Sequence, residues 1–159
     1  MRKHNQTLSP AEIRQKIYRY CAYQERCHAE VKNKLFELGA GKQEADEIIS
    51  ELITQGFLNE ERFARAYAGG KFRLKFWGKV KIRLSLEARG LTPNCIKAGL
   101  SEIDDESYAK TLIDLIEKKS EKLNSDDLYV KRDKLANYLI QKGFEPDLVW
   151  PLVKAKTTH

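Results

Sequence analysis

The chain has 159 residues, 42% of them apolar and 33% charged, with 29 Lys and Arg against 23 Asp and Glu. That length suits one ordinary domain or a few small packed units, and an apolar share near the average with both charge signs present argues against a disordered chain. No apolar run approaches the roughly 18 residues of a membrane span, and residues 1–8 are polar enough to read as a disordered N-terminal tail rather than a signal peptide, so the composition predicts a cytosolic protein without a membrane contact.

The helix signals begin at Ser9-Pro10-Ala11-Glu12, a capping box with proline at the first helical position. Behind it Ile13, Ile17 and Tyr20 or Cys21 recur at the spacing of one buried helix face. A second helix is predicted from His28 to Leu38 with Val31, Leu35 and Leu38 on one side and Gly39 as a left-handed stop. A third is predicted from Glu44 to Gln55, carrying Ala45, Ile48, Ile49 and Leu52 and ended by Gly56.

Aligning the stop glycines exposes a repeat. Val31, Leu35 and Gly39 match Ile82, Leu86 and Gly90, then Leu135, Leu139 and Gly143, with the glycines 51 and 53 residues apart. Leu58, Asn59, Phe63, Ala64 and Tyr67 likewise match Ile103, Asp104, Tyr108, Ala109 and Leu112, with Asn or Asp placed to cap a helix. A further short helix follows each stop: Ile48 and Leu52, then Ile96 and Leu100 behind Thr92-Pro93, then Val149 and Val153 behind Glu145-Pro146. The fold expected is all-α, three tandem three-helix repeats over residues 9–56, 58–103 and 104–156. Such units cannot bury their faces alone and stack into an elongated, curved array, of either hand as far as the pattern goes.

The positive charge is localised. Residues 58–103 carry 10 basic and 4 acidic side chains, whereas residues 1–57 carry 9 and 8 and residues 104–159 carry 10 and 11. Within the middle repeat Lys71, Arg73, Lys75, Lys79, Lys81 and Arg83 alternate with Phe72, Leu74, Phe76, Trp77, Val80 and Ile82. Strict alternation reads as a half-buried strand. The spacing of Phe63, Tyr67, Gly70, Leu74 and Trp77, together with the repeat alignment, favours two helices broken near Gly78. A basic stripe of this kind attracts polyanions by counterion release, and exposed aromatics can stack on unpaired bases. The blander readings are a solvated cationic face and, for Trp77 and at least one phenylalanine, a place in the core. Lys118, Lys119 and Lys122, mixed with Glu117 and Glu121, read as a solvated face, and Ser125, Asp126 and Asp127 as a helix cap. Tyr18, Tyr20 and Tyr23 read as packing and rim residues.

Catalytic chemistry finds little support. The cysteines Cys21, Cys27 and Cys95 form no CxxC pair and read as reduced thiols. Of His4, His28 and His159, only His28 stands away from a chain end, and Cys27-His28 without a second ligand pair matches zinc spacing poorly. Phosphate-loop, dinucleotide and metalloprotease motifs are missing. The expectation is a non-enzyme without metal or cofactor.

The run Gly56-Phe57-Leu58-Asn59-Glu60-Glu61-Arg62-Phe63-Ala64, followed by Gly78-Lys79-Val80-Lys81-Ile82 and Leu86-Glu87-Ala88-Arg89-Gly90-Leu91, resembles the signature of the RecX regulators of bacterial RecA recombinase. Arg26-Cys27 through Leu35 resembles that family's Arg-Ser-x-x-Glu-Leu-x-x-Lys-Leu helix, with Cys27 for serine, Val31 for leucine and, later, Arg89 for lysine. The resemblance implies a monomeric modulator that binds RecA within its filament on single-stranded DNA and limits its ATPase, strand-exchange and coprotease activities, with direct DNA contact open. No contact residues transfer from the motif. Charge alone nominates Lys71, Arg73, Lys75, Lys79, Lys81, Arg83 and Arg89, with Phe72 and Phe76, as the RecA- or DNA-binding set. A DNA-binding repeat protein acting without RecA is the alternative.

Overall fold

In the computed structural model, which describes residues 7–124 and 127–157, the chain forms nine helices and, among those residues, no strand. They are α1 (Pro10–Tyr23), α2 (His28–Glu37), α3 (Lys42–Thr54), α4 (Glu60–Lys75), α5 (Lys79–Ala88), α6 (Pro93–Leu100), α7 (Asp105–Lys122), α8 (Leu128–Gln141) and α9 (Pro146–Lys156). Most of the expected tail, the cap residues Ser125 and Asp126, and His4 and His159 lie outside the described residues. Leu8, assigned to that tail, packs against the first core.

The caps form as the sequence predicts. The Ser9 hydroxyl accepts from Glu12 N at 3.2 Å and Ser9 N donates to the Glu12 carboxylate at 3.3 Å. Asn59 accepts from Arg62 N at 2.9 Å and Asp104 from Ser107 N at 3.0 Å, each satisfying an orphan donor of a first turn. The predicted last residues Leu38 and Gln55 are the C-caps of α2 and α3, and α3 starts at Lys42, two residues before the predicted Glu44, because Gly41 takes the extended N-cap conformation.

Helix ends repeat atom for atom. Gly39, Gly90 and Gly143 all have positive φ. In each case the glycine N–H donates to the carbonyl three residues back (Phe36, Glu87, Ile140), and the following N–H reaches the carbonyl of Leu35, Leu86 or Leu139. This closure satisfies carbonyls that the helix leaves open and turns Ala40, Leu91 and Phe144 into the core. Val31, Ile82, Leu135, Leu35, Leu86 and Leu139 are all fully buried. The same local rule, applied three times, produces the array.

Packing is less regular than the sequence pattern. The first unit has its own core around Ile17, Leu35, Ile48 and Leu52. A second core runs through α4–α9 and takes in Cys27 from the first unit. Ala64 is buried under α6, where a Cβ on Gly99 would lie 2.7 Å from Ala64 O, whereas its counterpart Ala109 is exposed. Small residues let α4 and α6 approach closely; α7 and α9 lack that contact.

Two polar seams join the units. Between the first and second, Arg89 Nη1 lies 3.1 Å from Glu30 Oε1, and His28 N donates to Glu60 at 3.1 Å. Between the second and third, Gly78 N donates to Lys142 O at 2.8 Å and Val80 N to Gly143 O at 2.9 Å. There backbone meets backbone: a Cβ on Gly78 would sit 2.2 Å from Gly143 C. Tyr108 fastens the same seam, accepting from Lys79 N at 3.0 Å and donating to Glu145.

Candidate interaction surface

The basic segment folds as two helices and a sharp turn. Phe76 adopts a left-handed conformation with φ 56°, which ends α4 and lets Trp77 N return to Lys71 O at 3.2 Å. Gly78 then starts α5, with its N–H taken by the third unit rather than by a side-chain cap. Arg73 and Lys75 in the last turn of α4 also favour the negative end of that helix.

The structure sorts the nominated residues into four groups. Trp77 packs partly buried against the second core and is flanked by two ammonium groups, Lys71 Nζ at 4.9 Å and Lys81 Nζ at 4.5 Å from its ring centroid. This is cation–π geometry, which fixes the charges in place without neutralising them. Lys75, one helical turn on from the half-buried Lys71, extends this basic face, and Phe76 is 45% exposed; Arg73, two residues from Lys71 and so about 200° around α4, lies on another side of the helix, over Gly69. Of the six cations Lys71, Arg73, Lys75, Lys79, Lys81 and Arg83, only Lys79 has a carboxylate partner among the described residues, Asp105 at 3.7 Å.

Two nominations have structural duties instead. Arg89 is held by Glu30 and by the Tyr67 ring, 5.0 Å from its guanidinium carbon, so it ties the first two units together. Lys79 leans over Tyr108 at 4.7 Å and serves the second seam. One nomination is corrected: Phe72 is 8% exposed and packs against Tyr108 with centroids 5.9 Å apart, so it offers no face for a base or partner. Its period along α4 turns it inward, opposite to the cations on either side. Arg83 stands apart from the Trp77 cluster, on a separate cleft with Glu87, Pro93 and Lys97.

Adjacency in space adds residues that the sequence reading set aside. Lys118, Lys119 and Lys122 of α7 face Tyr138 of α8 and its C-cap residue Lys142 across a groove of about 330 Å³ that Phe76 also lines. Lys142 Nζ donates to Lys75 O at 3.4 Å, so the groove lies next to the end of α4 that carries the basic face of the middle unit. Burial, and then the nearby charge of Lys81, hold the Lys142 ammonium below its ordinary pKa. Glu117, which made this stretch look charge-balanced, turns away to Lys156 at 3.9 Å. A usable signal was present: Thr111, Leu115, Lys118 and Lys122 fall at spacings of 4, 3 and 4, one face of a helix.

Catalytic or metal-binding constellations do not emerge from the same residues. Among the described residues no group of three or more His, Cys, Asp or Glu side chains is placed to hold a metal ion. Cys27 is fully buried with its thiol on Glu30 at 3.2 Å, and His28 Nδ1 lies 3.5 Å from Glu60. No helix of the described residues is long and apolar enough to cross a membrane.

Comparison with known proteins gives one consistent result. The family model described as RecX, second three-helix domain, matches residues 59–100, and that for the third three-helix domain matches residues 105–153. Regulatory protein RecX of Clostridium botulinum (strain Eklund 17B / Type B) is 32% identical over 127 residues, 79% of this chain and 59% of that protein. Regulatory protein RecX of Bacillus cytotoxicus is 28% identical over 82% of this chain and 48% of its own. The chain thus spans about half to three fifths of the curated relatives' length. The crystal structure of RecX from Lactobacillus salivarius superposes with a TM-score of 0.82 at 25% identity, covering 92% of this chain and 95% of that one.

Proposed function

Because this chain belongs to the RecX family, we propose that it is a regulatory protein that binds RecA recombinase on single-stranded DNA and restrains its ATPase, strand-exchange and coprotease activities. It acts by binding rather than by catalysis. A stack of three-helix units offers a long surface that can reach more than one protomer of a filament, and the basic face is where such a surface meets acidic walls or phosphates.

The observation that carries this reading is the pair Lys71 and Lys81 about Trp77, with Lys75 one helical turn on from Lys71, held by the turn at Phe76 and Gly78 and left without carboxylate partners among the described residues. Ammonium groups fixed in this way attract a polyanionic partner with little further ordering. Arg73, on another side of α4, and Arg83, on a separate cleft, stand outside this cluster.

Co-sedimentation with RecA filaments from the same organism tests the assignment. The Lys71→Ala/Lys81→Ala variant should bind about tenfold more weakly, with the deficit shrinking as salt is raised. Unchanged binding by a folded variant would remove this face from the interface.

A further inference from the structure

The groove between α7 and α8 gathers four lysines that have no ion-pair partner among the described residues, outside the basic face of the middle unit. Lys118, Lys119, Lys122 and Lys142 converge on about 330 Å³, a volume within the range of ligand clefts. Asp114 is the one acidic side chain lining it. Four like charges around one groove repel each other, and a bound anion relieves that repulsion.

The chemistry of the lining separates the candidate anions. Its cations are all lysines, compact point charges that bind phosphate oxygens one at a time, so the choice among anions rests on what stands beside them. The wall is aromatic: Tyr138 carries Lys119 Nζ at 4.7 Å and Lys142 Nζ at 5.7 Å from its ring, and Phe76, 45% exposed, lines the groove with it. Phosphate donors beside a π-face form the pairing that single-stranded nucleic acid requires, a charged track for the backbone and a platform for a base. Lys142 also donates to Lys75 O at 3.4 Å, which sets the groove beside the end of α4 that carries the middle unit's basic face.

The geometry points to the α7–α8 groove as a binding site for single-stranded nucleic acid, with Lys118, Lys122 and Lys142 on successive phosphates and Tyr138 against a base. This does not depend on RecA. The third unit holds a strand, and the middle unit's basic face lies beside it.

Fluorescence anisotropy with a labelled oligothymidylate of about sixteen nucleotides, in the absence of RecA, tests it. Each phosphate contact contributes about 0.7 to the slope of log affinity against log salt for a single strand, so Lys118→Ala/Lys122→Ala should lower the slope by about 1.4 and the affinity by about 25-fold at 0.1 M salt. Lys110→Ala/Lys134→Ala removes the same net charge from exposed positions outside the groove and should stay close to wild type. Tyr138→Leu should weaken binding about fivefold or more, and Tyr138→Phe should restore it. Thermal unfolding of each variant separates loss of binding from loss of fold. Equal affinities and slopes for the groove and control variants overturn the site, and full binding by Tyr138→Leu overturns the stacking role. Displacement of the oligonucleotide by an equal phosphate concentration of thymidine monophosphate would replace a strand by a free nucleotide as the occupant.

Discussion

Gly78→Ala is the most informative single substitution for the architecture. Gly78 and Gly41 are both N-cap residues with nearly the same backbone, φ −75° and ψ 165° against φ −77° and ψ 170°, conformations open to any residue. They differ only in surroundings. A Cβ at Gly41 meets nothing within 4 Å, whereas at Gly78 it would lie 2.2 Å from Gly143 C and 2.3 Å from both Gly143 O and Phe144 N. Backbone cannot swing aside as a long side chain does, so the third unit must retreat. Retreat breaks the bonds from Gly78 N to Lys142 O and from Val80 N to Gly143 O, together about 2 kcal/mol net. Disturbed packing around Phe144 brings the total to about 3–4 kcal/mol. In Gly41→Ala the weaker cap and the reduced freedom of the unfolded chain nearly cancel, leaving a change of about 0.5 kcal/mol or less. Urea unfolding followed by the fluorescence of Trp77 and Trp150 reads both. The expected result is a large loss for Gly78→Ala, with the two units uncoupling into separate transitions, and a small change for Gly41→Ala. Equal stability of the two variants would refute the backbone-to-backbone account of the seam.

Three further tests address buried groups and their accessibility. Tyr108→Phe leaves Lys79 N without its acceptor and Glu145 without its donor, and should destabilise by about 1–3 kcal/mol in thermal or urea unfolding. Burial, and then Glu145, push the Tyr108 phenol well above its ordinary value near 10. The stability this confers is present below that value and is lost at higher pH, so Tyr108→Phe should also flatten the alkaline limb of the stability curve. Burial likewise pushes the Cys21 thiol up to about 11 from 9.0. An unfolded chain ionises this thiol first, so stability should fall between about pH 9 and pH 11 and fall less in Cys21→Ala; identical slopes would contradict the assignment. At pH 8 iodoacetamide should modify the part-exposed Cys95 before the buried Cys21 and Cys27.

Local rules made most of the fold legible. Ser9 with Glu12, Asn59, Asp104 and the stop glycines each act within one helical turn, so their residue types specify their geometry. The three-fold alignment followed, because Leu35, Leu86 and Leu139 solve one packing problem three times. What the pattern did not contain is the identity of neighbours. Ala64 and Ala109 occupy one register, yet only Ala64 lies beneath a glycine of another helix. Phe72 stood among cations in the sequence and lies in the core, since three-to-four spacing turns it away from Arg73 and toward Tyr108. The lysine groove was hidden for the converse reason. Counting charge along α7 pairs Lys118 with Glu117, whereas in space Glu117 faces Lys156 and Lys118 faces α8.

RecA-catalysed ATP hydrolysis on single-stranded DNA, using RecA from the same organism, tests the central claim most directly. Wild-type protein should depress the steady-state rate in a dose-dependent manner, and Lys71→Ala/Lys81→Ala should require about tenfold more protein for the same effect. A rate unchanged at protein concentrations equal to RecA, with the protein shown to be folded, would contradict the proposed regulation.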